Sequence, residues 1–186
     1  MTRGEEEFVV SEVLTPIQLQ QFKELAIAYL EWLSEDLHFQ GVDDELSSLP
    51  GACSRDRRGA MFIATVGDKE DDSTPNGVGT AAIRPLTGKH VDSVTQISGF
   101  NIDEVCELKR LFVRPEHQGL GIGRTLVRRA LDEAAALGYK AIVLDTLERL
   151  EGANYLYKSM GFTPCEAYSH CPLEGAMYFA KPLIEM

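Results

Sequence analysis

Residues 105–124 constrain this chain more than any other stretch, because they join a strand, a tight glycine loop and a helix start without a linker. Val105, Phe112 and Val113 suit a strand over 105–113. Arg114-Pro115 ends it, since proline has no N–H to donate and disfavours helix in the residue before it. Gly119, Gly121 and Gly123 follow at alternate positions, and Leu126, Val127, Ala130, Leu131 and Ala134 then recur at helical spacing until Gly138 supplies a stop. The loop is therefore expected at a helix N-terminus, where unpaired N–H groups and the positive end of the dipole face outward and glycines let an anion approach the main chain. Arg124 is placed to add a charge-assisted contact. The expectation is a diphosphate cradle.

Two common phosphate motifs fail on spacing. The dinucleotide pattern G-x-G-x-x-G meets Arg124 or Leu126 where its third glycine belongs, and no Gly-Lys-Ser/Thr follows the loop as a mononucleotide P-loop requires. What remains is Gln118-x-x-Gly121-x-Gly123, which resembles the R/Q-x-x-G-x-G/A signature of the GNAT superfamily of acetyl-CoA-dependent N-acetyltransferases. Downstream, Leu156-Tyr157-x-x-x-Gly161-Phe162 resembles the second signature of that family, in the expected order.

The resemblance spans residues 58–183 and implies an α/β GNAT fold, a mixed, mostly antiparallel central sheet with helices on both faces. It implies acetyl-CoA as cosubstrate, with the loop of Gln118, Gly119, Leu120, Gly121, Ile122, Gly123 and Arg124 holding the pyrophosphate. Leu111, Phe112 and Val113 would pair through their backbone with the pantetheine arm, and the Leu111 N–H would polarise the thioester carbonyl. One departure is plain: where some branches carry a coenzyme-contacting asparagine seven residues before the tyrosine, this chain has Leu150, and Asn154 stands at a different helical phase.

The remaining composition narrows the setting. At 186 residues the chain has the size of one domain, here taken as 1–186, with 44% hydrophobic residues for a core. No apolar run is long enough to span a bilayer and the acidic N-terminus is unlike a signal peptide, so a cytoplasmic location is expected and no membrane partner. Cys53, Cys106, Cys165 and Cys171 form no C-x-x-C pair, and Cys165, His170 and Cys171 lack zinc spacing; free thiols and no metal are expected. A net charge of −11 argues against nucleic acid as a partner; it suits a cationic substrate and equally serves solubility. A homodimer is compatible with the sequence.

Along the chain, a first strand is expected over 8–13, then a helix capped by Thr15-Pro16 and a short helix over 43–49. Strands follow over 59–66 and 78–83, with a turn-rich loop at 68–77 between them. The polar insertion at 89–103 is either a cover for the acceptor side or a plain surface loop. Final strands are expected over 163–168 and 176–182.

Acetyl transfer to an amine needs a base, because a primary alkylamine with a pKa of about 10.4 arrives protonated. Glu107, eleven positions before Gln118, matches the catalytic glutamate of the histone-acetyltransferase branch, and strict alternation would place it on one side with Lys109, Leu111 and Val113. It could equally be a carboxylate paired with Lys109 or Arg110. Asp145, ending an apolar strand, competes for the role, as the N-terminal-acetylating branch carries a glutamate base there; a loop-capping role is its alternative. Tyr157 stands where the family keeps a tyrosine that protonates the coenzyme thiolate, or it is a core tyrosine.

Trp32, Phe39, Gln40 and Glu45 lie in the region that walls the acceptor site in this family, and Arg84, Arg110, Tyr168 and His170 could reach it, Arg84 as a receiver of a substrate carboxylate. Direct transfer to a small-molecule amine in a ternary complex is the expected reaction, since no nucleophile motif suggests a covalent intermediate. A protein or peptide acetyltransferase and a non-catalytic coenzyme A-binding module are the rival readings.

Overall fold

The structure is a computed structural model and describes residues 7–35, 41–67, 75–86, 96–97 and 99–183. Its elements run β1 (Phe8–Glu12), α1 (Pro16–Leu33), α2 (Val42–Ser48), β2 (Ala60–Val66), β3 (Asn76–Pro85), β4 (Gln96–Ile97), β5 (Phe100–Asn101), β6 (Val105–Val113), α3 (Ile122–Ala136), β7 (Ala141–Leu147), α4 (Glu151–Ser159), β8 (Thr163–Pro164) and β9 (Ala176–Pro182), with short 3-10 turns between some of them. Among the described residues, seven strands form the main sheet in the order β1-β2-β3-β6-β7-β9-β8, while β4 and β5 make a separate small hairpin. Every pairing in the main sheet is antiparallel except β6 with β7, so the mixed, mostly antiparallel sheet implied by the motifs is what forms. Among the described residues no helix is long and apolar enough to cross a membrane.

Local chemistry explains the element ends. Thr15 accepts a hydrogen bond from the Gln18 amide at 3.2 Å while the Gln18 side chain accepts from the Thr15 amide at 3.1 Å, a reciprocal cap that starts α1 beside Pro16. The strand expected over 163–168 shrinks to β8, where Thr163 and Pro164 pair with β9 and the Cys165 amide adds a last bond to the Tyr178 carbonyl at 3.0 Å. The turn-rich 68–77 loop falls largely outside the described residues, as do 87–95 and 98 of the polar insertion and its environs, and Phe39 and Gln40.

Apolar side chains sort the helices to opposite faces. Leu126, Val127, Ala130 and Ala134 of α3 and Tyr157 of α4 pack with Ile83, Leu108, Ile142 and Leu144 in the largest core cluster. On the other face, Phe22 and Ala26 of α1 pack on Met61 and Ala82, and Leu25 meets Ile63 and Phe112.

Two irregularities in β6 open the sheet. Its register with β7 runs only from Val105–Ala141 to Glu107–Val143, although both strands continue, so the two diverge beyond that point. Its register with β3 slips between Thr80 and Ala82, leaving Arg110 and Leu111 without Cα partners there. Arg110 has φ +56°, a conformation that L-residues rarely adopt, and the buried Thr80 hydroxyl donates to its carbonyl at 2.8 Å. This bulge corrects the strict alternation. Glu107 and Lys109 face the α1 side, whereas Leu111 and Val113 pack toward the α3 core and Phe112 takes the α1 face.

Candidate active site

Between the diverging ends of β6 and β7 lies a cavity of about 820 Å³. Its walls are Leu108–Val113 of β6, Asp145–Leu147 of β7, the α3 loop from His117 to Arg124, α4 from Glu151 to Tyr157, and Tyr29, Trp32 and Leu33 of α1. The sheet is thus parted at its centre, and groups from both faces meet in the gap.

At the α3 end the contacts on offer are main-chain groups. Gly121 is the N-cap of α3 with φ +85° and no side-chain cap, and the first amide to find a partner in the helix is Thr125, which donates to the Gly121 carbonyl at 3.0 Å. The amides of Ile122, Gly123 and Arg124 have no earlier carbonyl in the helix to bind. A Cβ built on Gly119 or Gly121 would meet nothing within 4 Å, so open space lies against the loop. These residues fit a diphosphate. Gln118 donates from its side chain to the Val113 carbonyl at 3.0 Å, tying the loop to the end of β6, and Arg124 donates to the Ser159 hydroxyl at 2.8 Å, tying it to α4. Among the described residues the edge of β6 that faces β7 has no strand partner beyond Glu107, as an extended pantetheine arm would require.

Of the loop and strand residues expected to hold the coenzyme, Leu111, Phe112, Val113, Gln118, Gly119, Gly121, Ile122, Gly123 and Arg124 all line the cavity. Leu120 does not; it packs against the α3-side core. Asn154 does not either. It is buried, its amide donating to the carbonyls of Leu147 at 3.0 Å and Glu148 at 3.2 Å, which makes it a clip on the β7–α4 turn.

Glu107, the first candidate for the base, is paired at both oxygens. It is 2% exposed and lies outside the cavity lining. One oxygen accepts from Arg84 at 2.9 Å; the other accepts from Tyr168 at 3.0 Å and faces the Lys109 ammonium at 3.3 Å. Burial alone would raise its pKa, yet Lys109 and Arg84 beside it, with hydrogen bonds from Arg84 and Tyr168, hold it at about 2 against an ordinary 4.5. A carboxylate so held is a poor proton acceptor at neutral pH.

Glu107 is one member of a larger network. Glu45 of α2 receives Arg110 at 2.8 and 3.0 Å and Arg84 at 3.3 Å, and Lys109 reaches on to Asp145 at 2.7 Å. Three carboxylates therefore alternate with three cations. Arg84, expected to receive a substrate carboxylate, is already paired, as is Arg110; Tyr168 is buried against Glu107, and His170 is exposed outside the cavity.

Asp145 and Tyr157 do line the cavity, from opposite faces of the sheet. Burial pushes the Tyr157 phenol pKa up, and the nearby Tyr29 and Asp145 push it the same way, so it keeps its proton. Its ring is fixed by Phe162 at 5.8 Å and Phe179 at 6.3 Å between centroids. Two residues of the site were not singled out from sequence: Tyr29, which lies within the helix that follows Thr15-Pro16, and Lys109, read only as a partner for Glu107. The i, i+3 spacing of Tyr29 and Trp32 near the helix end was the signal available for the first.

Comparison with known proteins agrees with this geometry. The family model described as Acetyltransferase (GNAT) family matches residues 26–162. An N-acetyltransferase of Schizosaccharomyces pombe is 37% identical over 169 residues, covering 91% of each chain. Among solved structures, a GNAT acetyltransferase of Staphylococcus aureus superposes with a TM-score of 0.68 at 17% identity over 96% of this chain and all of that one. An acetyltransferase of Salmonella typhimurium, solved with acetyl-CoA, gives 0.65 at 16% identity over 96% of this chain and 95% of its own. The chain therefore belongs to the GNAT family of N-acetyltransferases and is an acyltransferase enzyme.

Proposed function

We propose that the protein moves the acetyl group of acetyl-CoA to a primary amine of a small molecule, directly, within a ternary complex. The observation that carries this reading is the meeting of Asp145, Tyr157 and the unpaired edge of β6 in one cavity below the α3 loop. Acetyl-CoA, when bound, supplies an acetyl group activated as a thioester. The amides of 122–124 hold the diphosphate, and the free β6 edge aligns the arm that follows it.

Asp145 receives the acceptor's ammonium and takes its proton, leaving a nucleophilic amine. Lys109, at 2.7 Å, holds that carboxylate in place, and Glu107 holds Lys109 in turn. As the C–N bond forms and the C–S bond breaks, Tyr157 Oη gives its proton to the departing sulfur. A small acceptor is favoured because the split is walled on both faces, by α1 on one and α4 on the other, whereas a peptide needs a groove open at both ends.

Initial-rate kinetics with both substrates varied, on a panel of amines, amino acids, polyamines and lysine peptides followed by product mass, tests the reading. Intersecting lines and a small-amine product are expected. Parallel lines with an acetyl adduct on Cys171, which also lines the cavity, would replace direct transfer by a covalent route. Turnover of peptides alone would replace the acceptor class.

A further inference from the structure

We propose that the acceptor is an arylalkylamine by chemical class, a primary amine bearing a flat apolar substituent, seated between an aromatic wall on α1 and the Asp145 carboxylate; this rests on the acetyl-transfer reading above.

The wall is continuous. Tyr29 and Trp32 lie nearly parallel, 27° between planes and 6.4 Å between centroids, and Phe112 backs both at 5.7 and 6.1 Å. Phe112 is buried, but Trp32 is 47% exposed while lining the cavity, so the wall is supported from behind and uncovered in front. A large indole left open inside a cavity is surface that an apolar ligand would cover, and a ring stacked on it gains beyond the area it buries. Leu33, Leu147, Leu150 and Leu173 continue the apolar lining around it.

The charges beside the wall select the other end of the ligand. Asp145 is the carboxylate that β7 contributes to the lining; it shares one cavity with Tyr29 and Trp32 and is held at 2.7 Å by Lys109 of β6, the strand whose Phe112 backs the wall. An ammonium held there also faces aromatic rings, which favour a cation. A substrate carboxylate finds no such welcome. Arg110 is engaged by Glu45, Lys109 by Asp145 and Glu107, and Arg149 donates to the Leu33 carbonyl at 2.7 Å and to Glu35 at 2.8 Å. Each of these cations is already partnered, so an amino-acid carboxylate would share its charge with a carboxylate or carbonyl in place.

Trp32 is the chain's single tryptophan, so its fluorescence reports occupancy of the wall without requiring turnover. The coenzyme A-saturated protein is titrated with 2-phenylethylamine, butylamine, spermidine and aspartate, and the same acceptors are compared by kcat/KM. Calorimetry with acetyl-CoA runs alongside. The expected result is a saturable emission change with 2-phenylethylamine, and a kcat/KM for it at least tenfold above each of the others. Trp32→Ala should collapse the aryl-over-alkyl preference at least tenfold, and Trp32→Phe should restore most of it; circular dichroism confirms that both variants fold. No emission response to 2-phenylethylamine, or an aryl preference unchanged in Trp32→Ala, overturns the proposal whether or not coenzyme binds. Absence of heat with acetyl-CoA overturns the transfer reading instead, and the fluorescence titration of the free protein then decides the aromatic site separately.

Discussion

The two ends of the cavity are built by opposite means. At the α3 end the groups on offer are amides from one continuous loop, 118–124, and the Gln118 and Arg124 side chains tie that loop down. At the α1 end the working groups are side chains drawn from α1, α2, β3, β6 and β7, and each is positioned by another: Glu45 by Arg110, Lys109 by Glu107, Asp145 by Lys109. A main-chain site depends on a short local sequence and little else. A side-chain site depends on register, bulges and burial far along the chain, so its members can be exchanged to suit a different acceptor while the coenzyme end stays the same.

The largest expected effect sharpens that contrast at its centre. Asp145→Asn should lower kcat by roughly 10²–10⁴-fold at neutral pH while acetyl-CoA affinity by calorimetry stays within twofold, if the carboxylate acts on the acceptor's proton and not on the coenzyme as proposed. A folded Glu107→Gln variant that loses more turnover than Asp145→Asn would return the base role to Glu107.

Glu107 should instead show itself in stability. Removing its charge leaves Arg84 and Lys109 with one partner fewer in the interior, a change of about 3–5 kcal/mol, read by denaturant unfolding at pH 7. The sign with pH follows from the depressed pKa. The unfolded chain takes up the proton near 4.5 and the folded chain near 2, so this contribution is present above pH 4.5 and is lost as pH falls through that window. Glu45, whose pKa is also lowered by Arg110 against the opposing pull of burial, adds to the same acid sensitivity. A wild-type stability that is flat from pH 5 to pH 2 would contradict the network.

The α3 end should break through its backbone. Gly121→Val forces an L-residue to φ +85°, a strain of about 1–3 kcal/mol, and sets a side chain in the space before the amides. About tenfold to hundredfold weaker acetyl-CoA binding is expected. Gly123 differs, being inside the helix with ordinary contacts to Leu156 at 3.4 Å and Val113 at 3.8 Å awaiting a Cβ. Gly123→Ala should therefore change affinity less than threefold by calorimetry. Equal losses at both positions would mean that the loop is not an amide cradle.

The same contrast decides what could be read in advance. The strand, the Pro115 stop, the glycine loop and the α3 stripe are contiguous, so a short motif and the family resemblance it carries pointed to nine residues that line the cavity. Asn154 could not be placed, since its distance from Tyr157 fixes a helical phase but not which carbonyls lie within its reach. The side of β6 on which Leu111 and Val113 fall turned on one bulge at Arg110, stabilised by Thr80 thirty residues earlier, and strict alternation has no access to it. The surroundings of Glu107 were out of reach for a related reason: Arg84 and Tyr168, which bond to its two oxygens, come from other elements.

On the proposed reading Tyr157 works at the coenzyme's reactive end, and its removal should cost far less turnover than the loss of the Asp145 carboxylate. A thiol has a pKa of about 8.5, so the thiolate leaves tolerably without help and Tyr157→Phe should lower kcat by about tenfold at pH 7, with acetyl-CoA affinity retained. The phenyl ring keeps the contacts with Phe162 and Phe179, which limits the structural cost. The pH profile separates acid catalysis from packing. Burial holds the Tyr157 phenol above its ordinary range, so the wild type still carries the proton at pH 9, where the thiolate no longer needs it. The gap between wild type and Tyr157→Phe should therefore narrow as pH rises past about 8.5. A deficit that stays constant from pH 7 to pH 9.5 would assign Tyr157 to the core that shapes the cavity, and leave protonation of the sulfur to solvent.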